Sequence, residues 1–157
     1  MAGRIVVGID GSQASKDALA WAVAEARLRG DTVVAIHVWT PPYPAAAMAY
    51  PTAAAFPEGP VTPFDNGMAD AMRQGAEELL ARAVSEADAG DLPIEQRLVE
   101  GPAASALIEA AKDAELLVVG PRGHGGFTGL LLGSVSQQLA NHAPCPVVIV
   151  RGPDSDS

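Results

Sequence analysis

Two periods alternate along the chain. Short runs of apolar, largely β-branched residues recur, and between them apolar residues return every three or four positions. Arg4-Ile5-Val6-Val7-Gly8-Ile9-Asp10 is a run of the buried-strand kind that closes in an Asp10-Gly11-Ser12 turn. Ser12 is a good N-cap, and Ala14, Ala18, Leu19, Ala22, Val23 and Ala26 then follow at helical spacing as far as Arg29. Gly30-Asp31 stops that helix, and Thr32–Trp39 is a second strand. Continuous apolar strands on either side of an amphipathic helix argue for a βαβ unit in a parallel sheet.

Residues 40–65 break the rhythm. Seven of the thirteen prolines fall between Pro41 and Pro63, interleaved with alanines. Such a segment cannot continue a sheet, and it is long for a connection inside a compact domain. It reads either as a mobile flap beside a site or as plain disorder, with Tyr43, Tyr50, Phe56 and Phe64 available to dock it.

The alternation then resumes. Met68, Met72, Ala76, Leu79, Leu80, Ala83, Val84 and Ala87 form a second helical stripe, ending near Gly90. Ile94–Val99 is a third, more polar strand suited to a sheet edge. Gly101-Pro102 opens a third helix whose apolar face is Ala103, Leu107, Ile108 and Ala111. Leu116–Val119 is a fourth strand, about Ser134–Asn141 a fourth helix, and Pro146–Arg151 a fifth strand. The tail, residues 152–157, is expected to fray. Five strands alternating with four helices predict an α/β chain, an open, doubly wound, Rossmann-like five-stranded parallel sheet, in one domain over residues 1–157. In such sheets ligands sit beyond the strand C-termini, where the winding reverses.

The richest chemistry lies after the fourth strand. Gly120 to Ser136 reads GPRGHGGFTGLLLGSVS, a glycine-rich loop between a buried strand and a helix start. Glycines that take φ > 0 let backbone N–H groups approach an anion, and the helix N-terminus adds unpaired N–H groups and the positive dipole end. Two residues separate Gly120 from Gly123, nine separate Gly123 from Gly133, and Ser134 follows at once. That spacing resembles the ATP-binding signature of the universal stress protein family, G-x2-G-x9-G-[ST]. The likeness extends over nearly the whole chain: Ile5–Ser12 looks like the family's opening strand and acidic turn, Leu116–Gly120 like its fourth strand, and Cys145-Pro146-Val147 like the start of its last.

The resemblance implies strand order 3-2-1-4-5, which makes the first and fourth strands neighbours and brings their loops together. It further implies ATP as ligand, while the residues alone do not choose among ATP, ADP and cyclic nucleotides. By position, Asp10 stands near the phosphates or ribose, and Ile9, Val38 and Val119 flank the adenine. Gly120, Arg122 and Gly123 line the ribose and phosphate path, and Gly133, Ser134, Val135 and Ser136 hold phosphates with amides and hydroxyls. For Val38 and Val119, core packing is an equal alternative. His37, on a strand, reads as a hydrogen-bonded core histidine rather than a catalytic one, and His124 as a solvated loop side chain.

Charge alters this picture in two ways. The net charge is −9, which argues against a nucleic-acid partner, since that needs a basic patch. An ATP site in so acidic a chain must be locally positive. Asp10 beside a triphosphate calls for a divalent cation, Mg²⁺ or Mn²⁺, to reverse the sign of the interaction; two unit charges at 4 Å repel by about 4 kcal/mol at an effective dielectric of 20. The single cysteine, Cys145, allows no internal disulfide and reads as a small apolar side chain. No apolar run reaches membrane-span length, so no membrane partner and a cytoplasmic setting are expected.

Three functional classes compete. A nucleotide-binding regulatory module, read by an unknown downstream protein, fits the loop best. A non-catalytic interaction protein with a vestigial site is a variant of it. A slow ATPase or phosphotransferase is disfavoured because the loop carries no Lys and no P-loop motif. A dinucleotide oxidoreductase would need GxGxxG after the first strand, which Gly8-Ile9-Asp10-Gly11 does not supply. In the implied strand order, Pro146–Val150 is an apolar edge, which predicts a homodimer through the C-terminal strand.

Overall fold

Period-two strands and period-3.6 helices alternate as the sequence pattern predicts. The computed structural model describes residues 2–41, 66–123 and 132–152. Among them, the strands are β1 (Arg4–Ile9), β2 (Thr32–Trp39), β3 (Ile94–Glu100), β4 (Leu116–Val119) and β5 (Val147–Ile149). The helices are α1 (Gln13–Arg29), α2 (Asn66–Glu86), α3 (Ala103–Ala110), which ends in a 3-10 turn at Ala111–Asp113, and α4 (Ser134–His142). Expectations placed on the Pro/Ala-rich segment beyond Pro41, on His124 and on the tail beyond Gly152 lie outside the described residues.

Local signals set the ends of α1. Ser12 caps it from extended backbone, its hydroxyl accepting the Ser15 N–H. Gly30 ends it at φ 74, in the left-handed region that a Cβ disfavours, and returns its N–H to Ala26 O. The stripe that α1 buries is Ser15, Ala18, Leu19, Ala22, Val23 and Ala26, so Ser15 rather than Ala14 opens it.

All strand pairs are parallel, in the order β3-β2-β1-β4-β5. The chain winds outward from β1 through β2 to β3, then returns to the other side of β1 for β4 and β5. The reversal falls between β1 and β4, whose C-terminal ends therefore meet.

Alternation of side chains divides the core into two layers. Ile5, Val7, Ile9, Val33 and Ala35 face α1 and α2, where Leu19, Val23 and Leu80 pack on them. Val6, Val34, Ile36, Leu117 and Val119 face α3 and α4, where Leu107 and Leu139 close over them. A one-residue slip would send every one of these side chains to the opposite layer. The edge strand β3 is blunted by charge: Glu95 pairs with Arg97 at 2.6 Å and with Arg4 at 3.7 Å.

Some boundaries depart from the sequence expectation. β5 spans three residues rather than six because its partner β4 has only four and Pro146 has no N–H to offer a ladder. β3 runs one residue further, to Glu100, since Trp39 is there to pair with it. No helix among the described residues is long and apolar enough to cross a membrane.

Burial decides the energetic contrast between two leucines on α1. Leu19 is fully buried, whereas Leu28 is 84% exposed. Leu19→Ala is expected to cost about 2–5 kcal/mol of unfolding free energy, and Leu28→Ala to fall within about 0.5 kcal/mol of the native chain. Urea denaturation followed by circular dichroism measures both.

Candidate functional site

The two loops at the C-terminal ends of β1 and β4 enclose a cavity of about 420 Å³. Its lining includes Ile9, Asp10, Val38, Val119, Gly120, Arg122, Gly123, Gly133, Ser134, Val135 and Ser136, so the structure gathers every residue singled out from the sequence around one space. The strand order is what makes this happen, since residues 9–10 and 119–123 come together only if β1 and β4 are neighbours.

The lining has two chemistries. Ile36, Val38, Leu107, Val119, Val135 and Ala103 supply an apolar wall. Gly8 serves that wall through what it lacks: a Cβ there would lie 3.1 Å from Leu107 Cδ1 and 3.3 Å from Val119 Cγ1. Asp10, Ser12, Arg122, Ser134 and the glycine backbones supply the polar part. Gln137 N–H makes an early helical bond, to Gly133 O, so the amides of Ser134, Val135 and Ser136 have no carbonyl within α4 to bond. They and the dipole make this stretch a place for an anion. Gly133 N–H, in contrast, is committed to Pro121 O at 2.7 Å.

Hydrogen bonds fix both loops. Ser12 N–H and Ser12 Oγ both donate to Asp10 Oδ1, at 2.9 and 2.5 Å. Ser136, a buried hydroxyl, donates to Gly120 O at 2.8 Å. That proton is therefore spent on bracing the loop to α4, and Ser134 is the more exposed hydroxyl of the pair. His37 Nδ1 lies 2.7 Å from Ile9 O and so carries the proton it donates, tying β2 to the residue before Asp10. The hydrogen bond expected from the sequence is present, but His37 is half-buried rather than a core residue.

The glycines require a correction. Gly120, Gly123 and Gly133 do not adopt positive φ; Gly133 is extended, at φ −75 and ψ 171. Close approach explains two of them instead. A Cβ on Gly120 would meet Ala14 Cβ at 2.8 Å and Ala14 C at 3.1 Å, and one on Gly123 would meet Asp10 Oδ2 at 2.5 Å. Gly123 thus marks where the loop after β4 passes the Asp10 carboxylate. Among the described residues of the two loops, a left-handed glycine is found at Gly11, at φ 86 in the turn after Asp10.

Gly8, Ser15, Ile36, Ala103 and Leu107 also line the cavity and were not singled out from the sequence. Ile36 is two residues before Val38 and shares its face, so period two could have found it. Ala103 and Leu107 lie on the face of α3 assigned to the core, where nothing separates a core leucine from a cavity leucine. Cys145 is partly buried beside the second core layer, and burial, then the Glu115 carboxylate, push its thiol pKa up, as suits a packing residue.

Comparison with known proteins agrees with this architecture. The model of the universal stress protein family matches residues 1–151. A universal stress protein of Mycolicibacterium smegmatis is 36% identical over 148 residues, 94% of this chain and 45% of that protein. The chain spans about half the length of the curated relatives it matches. A universal stress protein solved in complex with cAMP is 28% identical, with a TM-score of 0.64 over 96% of this chain and 97% of that one. Another, from Archaeoglobus fulgidus in complex with dAMP, is 25% identical, with a TM-score of 0.63 over 94% of this chain and 96% of that one. The chain belongs to the universal stress protein family.

The contact at Gly120 carries a prediction about stability. Gly120→Ala must push the end of β4 away from the first turn of α1, where the obstruction is partly backbone. The expected cost is about 1–3 kcal/mol, measured by chemical denaturation. A native-like midpoint would show that this packing yields more easily than the distances imply.

Proposed function

We propose that this chain is an adenine-nucleotide-binding regulatory module of the stress response, with ATP as its ligand and little or no turnover. One observation carries the reading: two loops far apart in sequence form a single cavity with an apolar wall on one part and helix amides, Arg122 and hydroxyls on the other. The apolar wall suits a purine base, and the start of α4 suits phosphate. Relatives solved with cAMP and dAMP support an adenine nucleotide here.

In this reading Ile9, Val38 and Val119 flank the base. Gly120, Arg122 and Gly123 line the ribose and phosphate path, and the residues from Gly133 to Ser136 hold phosphate. Asp10 suits a Mg²⁺ or Mn²⁺ carried by the nucleotide: its Oδ2 is directed toward Gly123, which borders Gly133 at the start of α4. Mg²⁺ is commonly held by one or two carboxylates together with substrate phosphates and waters, so a single aspartate suffices as the protein ligand. Phosphoryl transfer relies on charge clamps, and the loop from Gly120 to Ser136 carries no Lys. The module is therefore a binder, set in the cytoplasm as one domain, whose occupancy a downstream protein reads.

Mass spectrometry of small molecules released from freshly purified protein is expected to detect an adenine nucleotide. Calorimetry is expected to give ATP binding that weakens when a chelator removes divalent cations. Phosphate release on the order of 10 per second would overturn the assignment to a binding module.

The reading also includes a homodimer through β5. This strand is an edge of the sheet, with Val147, Val148 and Ile149 all partly exposed. Leu117 N–H donates to Pro146 O and Val150 N–H to Val119 O. Residues 146, 148 and 150 thus turn their backbone groups toward β4, and Val147 and Ile149 turn theirs outward. Light scattering is expected to give a mass near twice the 16.0 kDa of one chain. Val147→Pro removes an outward N–H and is expected to shift the mass to the monomer with the circular-dichroism spectrum preserved. Val148→Pro breaks the internal ladder instead and destabilises the fold. A native mass of one chain rejects the dimer.

A further inference from the structure

Ser15 is a buried polar residue at 3% exposure, on a stripe of α1 otherwise made of alanine, leucine and valine. Alanine meets the packing demand at Ala18, Ala22 and Ala26, so packing alone does not call for a hydroxyl at the head of the stripe.

What the hydroxyl does is visible in its bonds. Ser15 occupies the third position after the N-cap Ser12. A side chain at that position ordinarily reaches back to the N–H of the cap. Here the Ser12 N–H is already taken by Asp10 Oδ1. Ser15 Oγ instead accepts the Asp10 N–H at 3.3 Å and donates to Ser12 O at 2.9 Å. In the same ring, Ser15 N–H donates to Ser12 Oγ at 3.2 Å, and Ser12 Oγ donates to Asp10 Oδ1. The Ser15 hydroxyl thus holds the backbone at both ends of the turn, Asp10 N–H and Ser12 O, while the carboxylate is tied to Ser12, whose Oγ accepts the Ser15 backbone N–H. The other carboxylate oxygen, Oδ2, is directed at the place where Gly123 has no side chain.

We propose that Ser15 is a positioning residue for Asp10: from beneath the turn, its hydroxyl fixes the direction in which the carboxylate meets the phosphate-bearing part of the ligand. This inference rests on the nucleotide reading and deepens it. Ser15 borders the cavity, but its hydroxyl is committed to Asp10 N–H and Ser12 O, so in this scheme it acts on the ligand through Asp10. A role confined to capping α1 would instead lower stability and leave ligand discrimination alone.

The test is calorimetry on the full chain and on Ser15→Ala, Asp10→Asn and the double variant, each titrated with ATP in the presence of Mg²⁺ and with adenosine. Ser15→Ala is expected to weaken ATP binding about tenfold and to leave adenosine affinity at the native value. In the Asp10→Asn background, Ser15→Ala is expected to add nothing to the loss for ATP, since the group it positions has lost its charge. Equal losses for ATP and adenosine overturn the proposal, as does an unchanged tenfold factor in the Asp10→Asn background. If Ser15→Ala does not fold, Ser15→Cys, nearly isosteric and a much weaker hydrogen-bonding group, carries the same comparison with the same outcomes. Failure of the native chain to bind either ligand defeats the nucleotide reading itself, and the proposal with it, which distinguishes that failure from a failure of Ser15 alone.

Discussion

The end of β4 passes the first turn of α1 with no room for a side chain between them. Gly120 is the residue that allows it, since even a methyl group there would press on the backbone of Ala14. Much of the site follows from this one approach. It brings the loop after β4 over the turn after β1, so that Gly123 comes up against Asp10. It leaves the Gly120 carbonyl where Ser136 can bond it from α4. It places the open amides of α4 on the same cavity as the carboxylate. A larger residue at position 120 would separate two walls that otherwise share a few bonds.

The opposite face of the sheet uses the same device. Gly8 keeps the C-terminal end of β1 low enough for Leu107 to lie across it, and Leu107 belongs both to the second core layer and to the cavity wall. Core and site are continuous at this point. The apolar part of the cavity is the place where the second layer stops being filled by the chain's own side chains.

The fold was legible because burial imposes a period on the sequence. Ile5-Val6-Val7 and Leu116-Leu117-Val118-Val119 are apolar at successive positions because both faces of a central strand are covered, and only a parallel α/β sheet asks for that over so few residues. The grouping of the candidate site residues was legible for a different reason. The spacing of Gly120, Gly123, Gly133 and Ser134 is a family signature, and the eleven residues that the resemblance implied by position share one cavity. The physical reason attached to the glycines was mistaken at all three positions, because a sequence states that a side chain is absent and not what would have struck it. Ser15 was illegible as part of the site. In a helical stripe a buried serine looks like a small core residue until the acceptor and donor across from it are known. The segment after Pro41 has no period to read, and pattern analysis alone did not choose between flap and disorder.

The sheet also separates two kinds of change. The cavity lies at the C-terminal ends of the strands, whereas the return turns at Gly30-Asp31 and at Gly90–Pro93 lie at their N-terminal ends. Six residues of β1 put about 17–20 Å between these ends, well beyond the range in which substitutions normally couple. Lengthening or stiffening a return turn is therefore expected to alter the melting temperature without reshaping the pocket. The strands thus keep apart two ends of one sheet, a ligand end where packing and pocket are shared and a turn end that the pocket does not feel.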